Sequence, residues 1–370
     1  MWIVAAIAGV GTLVSGLVSP SGALAVLDRV APVLVFLVAV TVLAELAEAA
    51  QVFDVAAVRA ARAGCGRTPA LFVLIVLLGT ASTIALSLDT TAVLLTPVVL
   101  ALAERLELPP LPFAMASVWL ANTASLALPV SNLTNLLALR SLDLTTIAYA
   151  RTLALPAVVA VVVTVGVLAG WQFRALRGRY RVPAPLRAAD RTLFFVAALA
   201  CAALVPLLVV GLQVQWAACV AVTPLVVTAA VRRRHVLRPS LVPWRLVITV
   251  SGLFLIVEAA GPLFLDAALA SAVADRPPLG AAVVAAGAAN MVNNLPAYLA
   301  LERAVPHEDL LAVLLGVNLG PLITPWGTLA TLLWAERCRA RNVHVPWRTF
   351  SVAGAVLVPL LLLTTVPLLP

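Results

Sequence analysis

The stretch Val118–Leu139, VWLANTASLALPVSNLTNLLAL, begins as an apolar helix, breaks between Asn122 and Pro129, and resumes as an apolar helix. A second stretch, Val317–Trp334, VNLGPLITPWGTLATLLW, does the same. Laid one on the other, Asn122 falls on Asn318, Pro129 on Pro325, Ser131 on Gly327, Asn132 on Thr328 and Asn135 on Thr331. Two hydrophobic spans are thus interrupted at matching places by Asn, Ser, Thr, Gly and Pro. That pattern points to a secondary transporter whose binding site lies at the bilayer midplane.

The composition agrees. Of 370 residues, 63% are hydrophobic and 11% charged, with a mean hydropathy of +1.10. A soluble domain carries about 25% charge. Apolar runs of about 20 residues recur from end to end, each able to cross ~30 Å of hydrocarbon. The fold class expected is an all-α polytopic membrane protein, since the ten-residue alternation of a β-barrel is missing. The first apolar run lacks a basic leader and is followed by an equally apolar one, so it reads as a span rather than a secretory signal.

All 24 basic residues are arginine, and the net charge is +8. In this chain the excess belongs to loops facing the cytoplasm and acidic membrane lipid, not to nucleic acid. Cys65, Cys201, Cys219 and Cys338 form no CxxC or CxxH spacing, so neither a metal, a cofactor nor a disulfide is expected. There is no nucleotide-binding motif. An ion gradient is therefore the expected driving force, unless a separate ATPase subunit supplies it.

Three segments follow from the pattern: a first transmembrane repeat over 1–173, an Arg-rich cytoplasmic linker over 174–191, and a second repeat over 192–370. Spans are expected near 2–18, 30–50 and 150–173, then near 192–212, 214–231 and 244–262, with a last one at the end. Each half also holds an apolar segment with a polar tip, read as a re-entrant hairpin. One covers 70–102 with its tip at Ser87–Thr91, the other 279–304 with its interruption at Asn290–Asn294. With the N-terminus and the linker inside and the C-terminus outside, only Arg29, Arg140, Arg151, Arg276 and Arg303 fall outside, a strong positive-inside bias. EAAQVF at 48–53 and EAAGPLF at 258–264 follow an apolar run in each half. The second half has an odd number of crossings, so two such copies form an inverted pair. The first half reads as lacking one leading helix.

Asp89 is the foremost candidate for chemistry. A carboxylate at membrane depth is costly unless protonated, paired or hydrated. It reads as a proton or cation site beside Thr90, or as a helix cap for the second hairpin arm. Asn293 and Asn294 at the opposite tip offer amides to a cation or a hydroxylated solute; the plainer account is an Asn-rich turn. The breaks supply Asn122, Thr123, Ser125, Ser131, Asn132 and Asn135, then Asn318, Thr324, Thr328 and Thr331. Opened helix ends present free carbonyls and N–H groups; the plainer account of the same side chains is glue between helices. Glu45, Glu48 and Glu258 stand at or near membrane depth. Glu48 and Glu258 correspond between halves and suggest a proton relay, or else interfacial residues near turns. No arginine lies close to the breaks except Arg140 at an edge, which tilts the cargo toward a neutral or cationic species.

The segments Leu88–Val99, Ala121–Leu137, Val292–Tyr298 and Gly316–Trp334 together resemble the arsenical pump membrane protein family of the ion transporter superfamily, and the likeness covers nearly the whole chain. It implies two inverted repeats, each with a re-entrant hairpin and a discontinuous helix, often in a homodimer. It implies residence in the bacterial cytoplasmic (inner) membrane. It also implies proton uptake against export of arsenite or antimonite as the neutral hydroxide, with Asp89, Asn293, Asn294, Ser131 and Asn132 along the path. The Ser-Asn-Thr tips of the sodium-coupled carboxylate relatives are missing here. A sodium/proton antiporter and an anion or dicarboxylate permease of the same fold remain the alternatives.

Overall fold

The computed structural model describes residues 2–261, 266–274 and 276–370. The end of the EAAGPLF motif, 262–264, therefore lies outside the described residues. The chain is helical almost throughout. The first half opens with α1 (Trp2–Val14) and α2 (Pro20–Ala49). At 13 residues α1 is shorter than the expected span. By contrast α2 has 30 residues and begins well before residue 30, because the Ser19 hydroxyl accepts the Gly22 N–H and Pro20 fits the first turn. Next comes α3 (Val52–Ala63), an amphipathic helix that buries Phe53, Val55, Ala57, Val58 and Ala61 and exposes Arg59 and Arg62.

The first hairpin consists of α4 (Thr68–Ala85), the short α5 (Leu88–Thr90), a π-helical turn at Thr91–Leu95, and α6 (Thr96–Arg105). The Thr91 hydroxyl bonds those of Ser82 (3.1 Å) and Thr83 (2.9 Å) across the bend, holding the arms together. The first broken span follows: α7 (Leu111–Thr123), 3-10 turns at Ala124–Ala127 and Pro129–Ser131, and α8 (Leu133–Ser141). The half closes with α9 (Thr146–Trp171) and α10 (Phe173–Leu176).

The linker is extended and docked. Tyr180 N–H donates to Gly66 O and its hydroxyl to Ala61 O, while Arg62 reaches Pro183 O. The second half contains α11 (Arg191–Val209), α12 (Val214–Arg232), α13 (Trp244–Ala260) and α14 (Asp266–Val273). Its hairpin is α15 (Pro278–Val292) and α16 (Asn294–Ala304). Its broken span is α17 (Leu310–Leu319), a 3-10 turn at Gly320–Leu322, and α18 (Leu329–Ala340), and α19 (Trp347–Thr365) ends it. Among the described residues six helices are long and apolar enough to cross a membrane: α2, α4, α9, α11, α12 and α19 with its final turn.

Polar contacts at the helix ends fix the directions. Glu104, at the end of α6, faces Arg341 just past α18. At the other membrane face Ser141, at the end of α8, bonds Glu302 near the end of α16, and Arg303 pairs with Glu258 near the end of α13. The first broken span therefore leaves the Glu104 face and ends at the Glu302 face, whereas α18 ends at the Glu104 face. The two broken spans run antiparallel, and the two hairpins open toward opposite faces. The outer packing pairs across halves as well, α12 against α2 and α1 against α13.

In lipid no hydrophobic force drives one helix onto another, so close approach depends on small residues. The second broken span packs on α15 through Gly316 and Gly320. A Cβ at Gly316 would strike the Ala282 carbonyl, and one at Gly320 would strike Ala286. Nothing lies within 4 Å of a Cβ at Gly166 in α9. Gly316→Val is expected to lose about 1–3 kcal/mol by overpacking, read as a lower thermal midpoint in detergent. Gly166→Val serves as the control and should leave the midpoint near that of the parent chain.

Candidate functional site

A helix opened inside a bilayer releases carbonyls and N–H groups that must find partners. In the first break, most of these are found close by. The Asn122 amide donates to Val118 O (2.9 Å), the Thr123 hydroxyl to Trp119 O (2.9 Å), and the Ser125 hydroxyl to Asn122 O (2.7 Å). Asn135 sends its amide to Ser125 O (2.6 Å) and Leu128 O (3.1 Å), stitching the far side of the break to the near side. Asn132 caps α8 by accepting the Thr134 N–H. Ser131 ties the first break to the first hairpin, its hydroxyl donating to Ile84 O (3.0 Å).

The two breaks meet at Asn318. Its Oδ1 accepts from the Asn132 amide (2.9 Å) and the Thr134 hydroxyl (2.7 Å), and its own amide donates to Asn135 Oδ1 (2.7 Å). All four residues are buried. Three predicted residues are thus brought together from opposite halves, with Thr134 as a fourth that the sequence reading passed over. Its signal was present: it lies between Asn132 and Asn135 at the restart of α8, where a hydroxyl points back into the break.

The counterpart of Asn318 in the first half behaves differently. Asn122 Oδ1 is buried and has no hydrogen-bond partner among the described residues. Thr328, the counterpart of Asn132, caps α18 and shares a 2.9 Å hydroxyl contact with Thr331.

The second break is fastened to its own hairpin. Asn290 is the clamp. Its amide donates to Gly320 O (2.7 Å), its Oδ1 accepts from Thr324 N–H (3.0 Å), and its carbonyl accepts from the Trp326 indole (2.8 Å). At the tip, the Asn293 amide donates to Trp326 O (3.0 Å) and Asn294 N–H to Gly327 O (2.9 Å). Asn293 adopts φ 89°, a left-handed setting that Asn tolerates better than most residues. Its Oδ1 accepts Leu295 N–H, capping α16. Thr324 is therefore a fastening residue, and Asn290, quoted as part of the interruption but not as a site residue, is the central one. Asn294 is buried, and its side-chain amide makes no hydrogen bond among the described residues.

The first hairpin tip is looser. Ser87, not Asp89, is the helix cap: its hydroxyl accepts Thr90 N–H (3.2 Å) and touches the Thr90 hydroxyl (3.0 Å). The capping role considered for Asp89 is thus filled two residues earlier. Asp89 is left half-buried in the first turn of α5, with no hydrogen bond or ion pair among the described residues. Around the same bend stand the hydroxyls of Ser82, Thr83, Ser87, Thr90 and Thr91.

Glu48 and Glu258 lie far along the helices from the breaks, at opposite membrane faces. Glu258 is paired with Arg303. Glu45 and Glu48, near the end of α2, feel the Arg337 guanidinium from the last turn of α18. The cysteines are all free, and among the described residues no three His, Cys, Asp or Glu side chains gather as a metal site.

A family model described as a citrate transporter matches residues 1–307. The chain is 29% identical over 337 residues to the arsenical pump membrane protein of Yersinia enterocolitica, across 81% of this chain and 77% of that protein. It is likewise 29% identical over 333 residues to the arsenical pump membrane protein of Escherichia coli, with the same coverage. Among solved structures, the Alcanivorax borkumensis YdaH transporter, whose topology is described as unusual, superposes with a TM-score of 0.53 at 15% identity. That superposition covers 95% of this chain and 89% of the other, which speaks for the fold alone. The chain is a multi-pass secondary transporter of the bacterial inner membrane rather than an enzyme, and it belongs to the citrate transporter family.

Proposed function

We propose that the chain exports arsenite or antimonite in exchange for protons. The observation that carries this reading is the isolation of Asp89. It is the one acidic residue in the two hairpin tips and two breaks, no arginine stands among those segments, and no donor holds it. Apart from the Trp326 indole, the other polar side chains of the tips and breaks are amides and hydroxyls. Such a lining suits a neutral trihydroxide, which needs hydrogen-bond partners but no counter-charge. A carboxylate that gains a proton outside and releases it inside supplies the coupling. The names of the two relatives agree with this cargo.

The antiparallel broken spans, the oppositely opening hairpins and the cross-half pairs α1 with α13 and α12 with α2 support an inverted repeat with alternating access. In that scheme, Asn318 joins the opened helices of the two halves into one chamber. The family description favours a second reading, a carboxylate carrier. A citrate ion would meet Asp89 with no guanidinium to offset it, so we place this reading second.

Proteoliposomes given arsenite, Na+ or citrate, each under an imposed pH gradient, separate the readings. Arsenite flux should follow the gradient, and Asp89→Asn should reduce it to the rate of protein-free vesicles. Gradient-driven citrate flux without arsenite flux would reverse the order of the two readings, and normal coupled flux in Asp89→Asn would remove that residue from the mechanism. Asn318→Ala strands three buried polar partners, each worth about 1–3 kcal/mol when left unpaired. It should abolish arsenite flux and lower the thermal midpoint in detergent. Asn122→Ala, which removes a single bond within one helix, should lower the midpoint much less.

A further inference from the structure

Each hairpin ends on the same dipeptide. In α6 it is Glu104-Arg105, and in α16 it is Glu302-Arg303. The glutamates act alike. Glu104 lies 3.9 Å from Arg341 beyond α18, and Glu302 accepts from Ser141 at the end of α8. Each ties its hairpin to the broken span of the other half.

The arginines do not act alike. Arg303 pairs with Glu258 of α13 and stands 3.7 Å from Asp266 at the start of α14. Gly261 makes room for this cluster: a Cβ there would come within 2.8 Å of the Asp266 carboxylate and 3.2 Å of Arg303 Nε. Arg105 is exposed and makes no ion pair or hydrogen bond among the described residues. Yet its side of the molecule carries matching acids. Glu48 sits near the end of α2 as Glu258 does near the end of α13, and Asp54 lies in the first turn of α3 as Asp266 does in that of α14. These two acids feel Arg337 and Arg341 from α18 instead. Packing follows the charges, since α16 rests on both α13 and α14 whereas α6 rests on α3.

We infer that Arg303 with Glu258 and Asp266, and Arg105 with Glu48 and Asp54, are alternate latches of one transport cycle. The first is closed in the observed state, and the second closes when the hairpins have moved to the other state. This rests on the inverted-repeat reading above, in which the opposite state has each half take up the arrangement now held by the other. The energetics suit a switch. Arg303, Glu258 and Asp266 keep 24%, 34% and 31% side-chain exposure. A pair so exposed biases an equilibrium without trapping it, and exchanging one such pair for its counterpart leaves the two states close in energy.

Sided labelling tests the latches. The four native cysteines are replaced by serine, Asn294→Cys reports from the second tip, and an impermeant maleimide is applied to right-side-out and inside-out vesicles. Arg303→Ala and Arg105→Ala should shift the ratio of the two labelling rates in opposite directions, by about three- to tenfold. The double variant should return near the parent ratio. Glu258→Gln removes the same pair as Arg303→Ala and stands in for it should that protein fail to run as a single species in detergent. Shifts of the same sign, or no shift in either variant, overturn the latch. A disulfide between Asn132→Cys and Asn318→Cys in the cysteine-free chain tests the chamber separately. If it forms while the shifts share a sign, the chamber stands and the latch falls. If it does not form, the chamber itself fails.

Discussion

The Asn318 side chain is the constraint on which the rest of the site depends. Its amide bonds three side chains of the other half at the restart of α8. Each opened helix alone would leave polar backbone facing hydrocarbon, which the bilayer does not tolerate. Here the freed backbone groups are met within each half, and Asn318 joins the polar side chains of the two openings behind apolar helices. The close fit that brings them there comes from glycine and alanine, as Gly316 and Gly320 lie against α15 where larger side chains would collide.

Matching sequences have not given matching jobs. The second break is laced to its hairpin through Asn290, Asn293 and the Trp326 indole. The first break is laced mainly to itself through Asn135, and meets its hairpin through Ser131. One tip is therefore built like part of a rigid body. The other carries Asp89, whose carboxyl makes no hydrogen bond among the described residues, beside hydroxyls that bond mainly one another. A transporter needs both properties, a fastened element that moves as one piece and a polar group left open to a cargo.

Much of this was legible in the residues. The positions of the breaks and hairpins follow from Pro129, Pro325 and the Asn and Ser runs, because proline removes a helical donor and short polar side chains replace lost partners. The meeting of Asn132 and Asn318 is the kind of contact that a repeated break anticipates. What could not be read were partners chosen by packing. Nothing local distinguishes Asn290 from Asn294, yet one clamps the second break and the other keeps a free amide. Likewise Ser87 and Asp89 are both good helix caps, and it is Ser87 whose side chain meets the Thr90 N–H. The length of α2 was underestimated because its first turns sit among the charges Asp28 and Arg29, and Ser19 as the true cap stands a full three turns earlier than the apolar run suggests.

The ends of the helices tell a different story from their middles. At the breaks, correspondence between halves is one of position, with Asn122 bonded within its own helix where Asn318 reaches across to the other half. At the membrane faces it is one of chemistry: Glu–Arg at each hairpin end, a glutamate near the end of each preceding helix, an aspartate opening the next. Charges at an interface are cheap to hold and weak in effect, so repeating them in both halves adds little stability to either state. Their duplication makes better sense as a device for balance. A carrier with one strong contact on one side would rest there, whereas a carrier with similar weak contacts on both sides can let cargo and proton decide which way it faces.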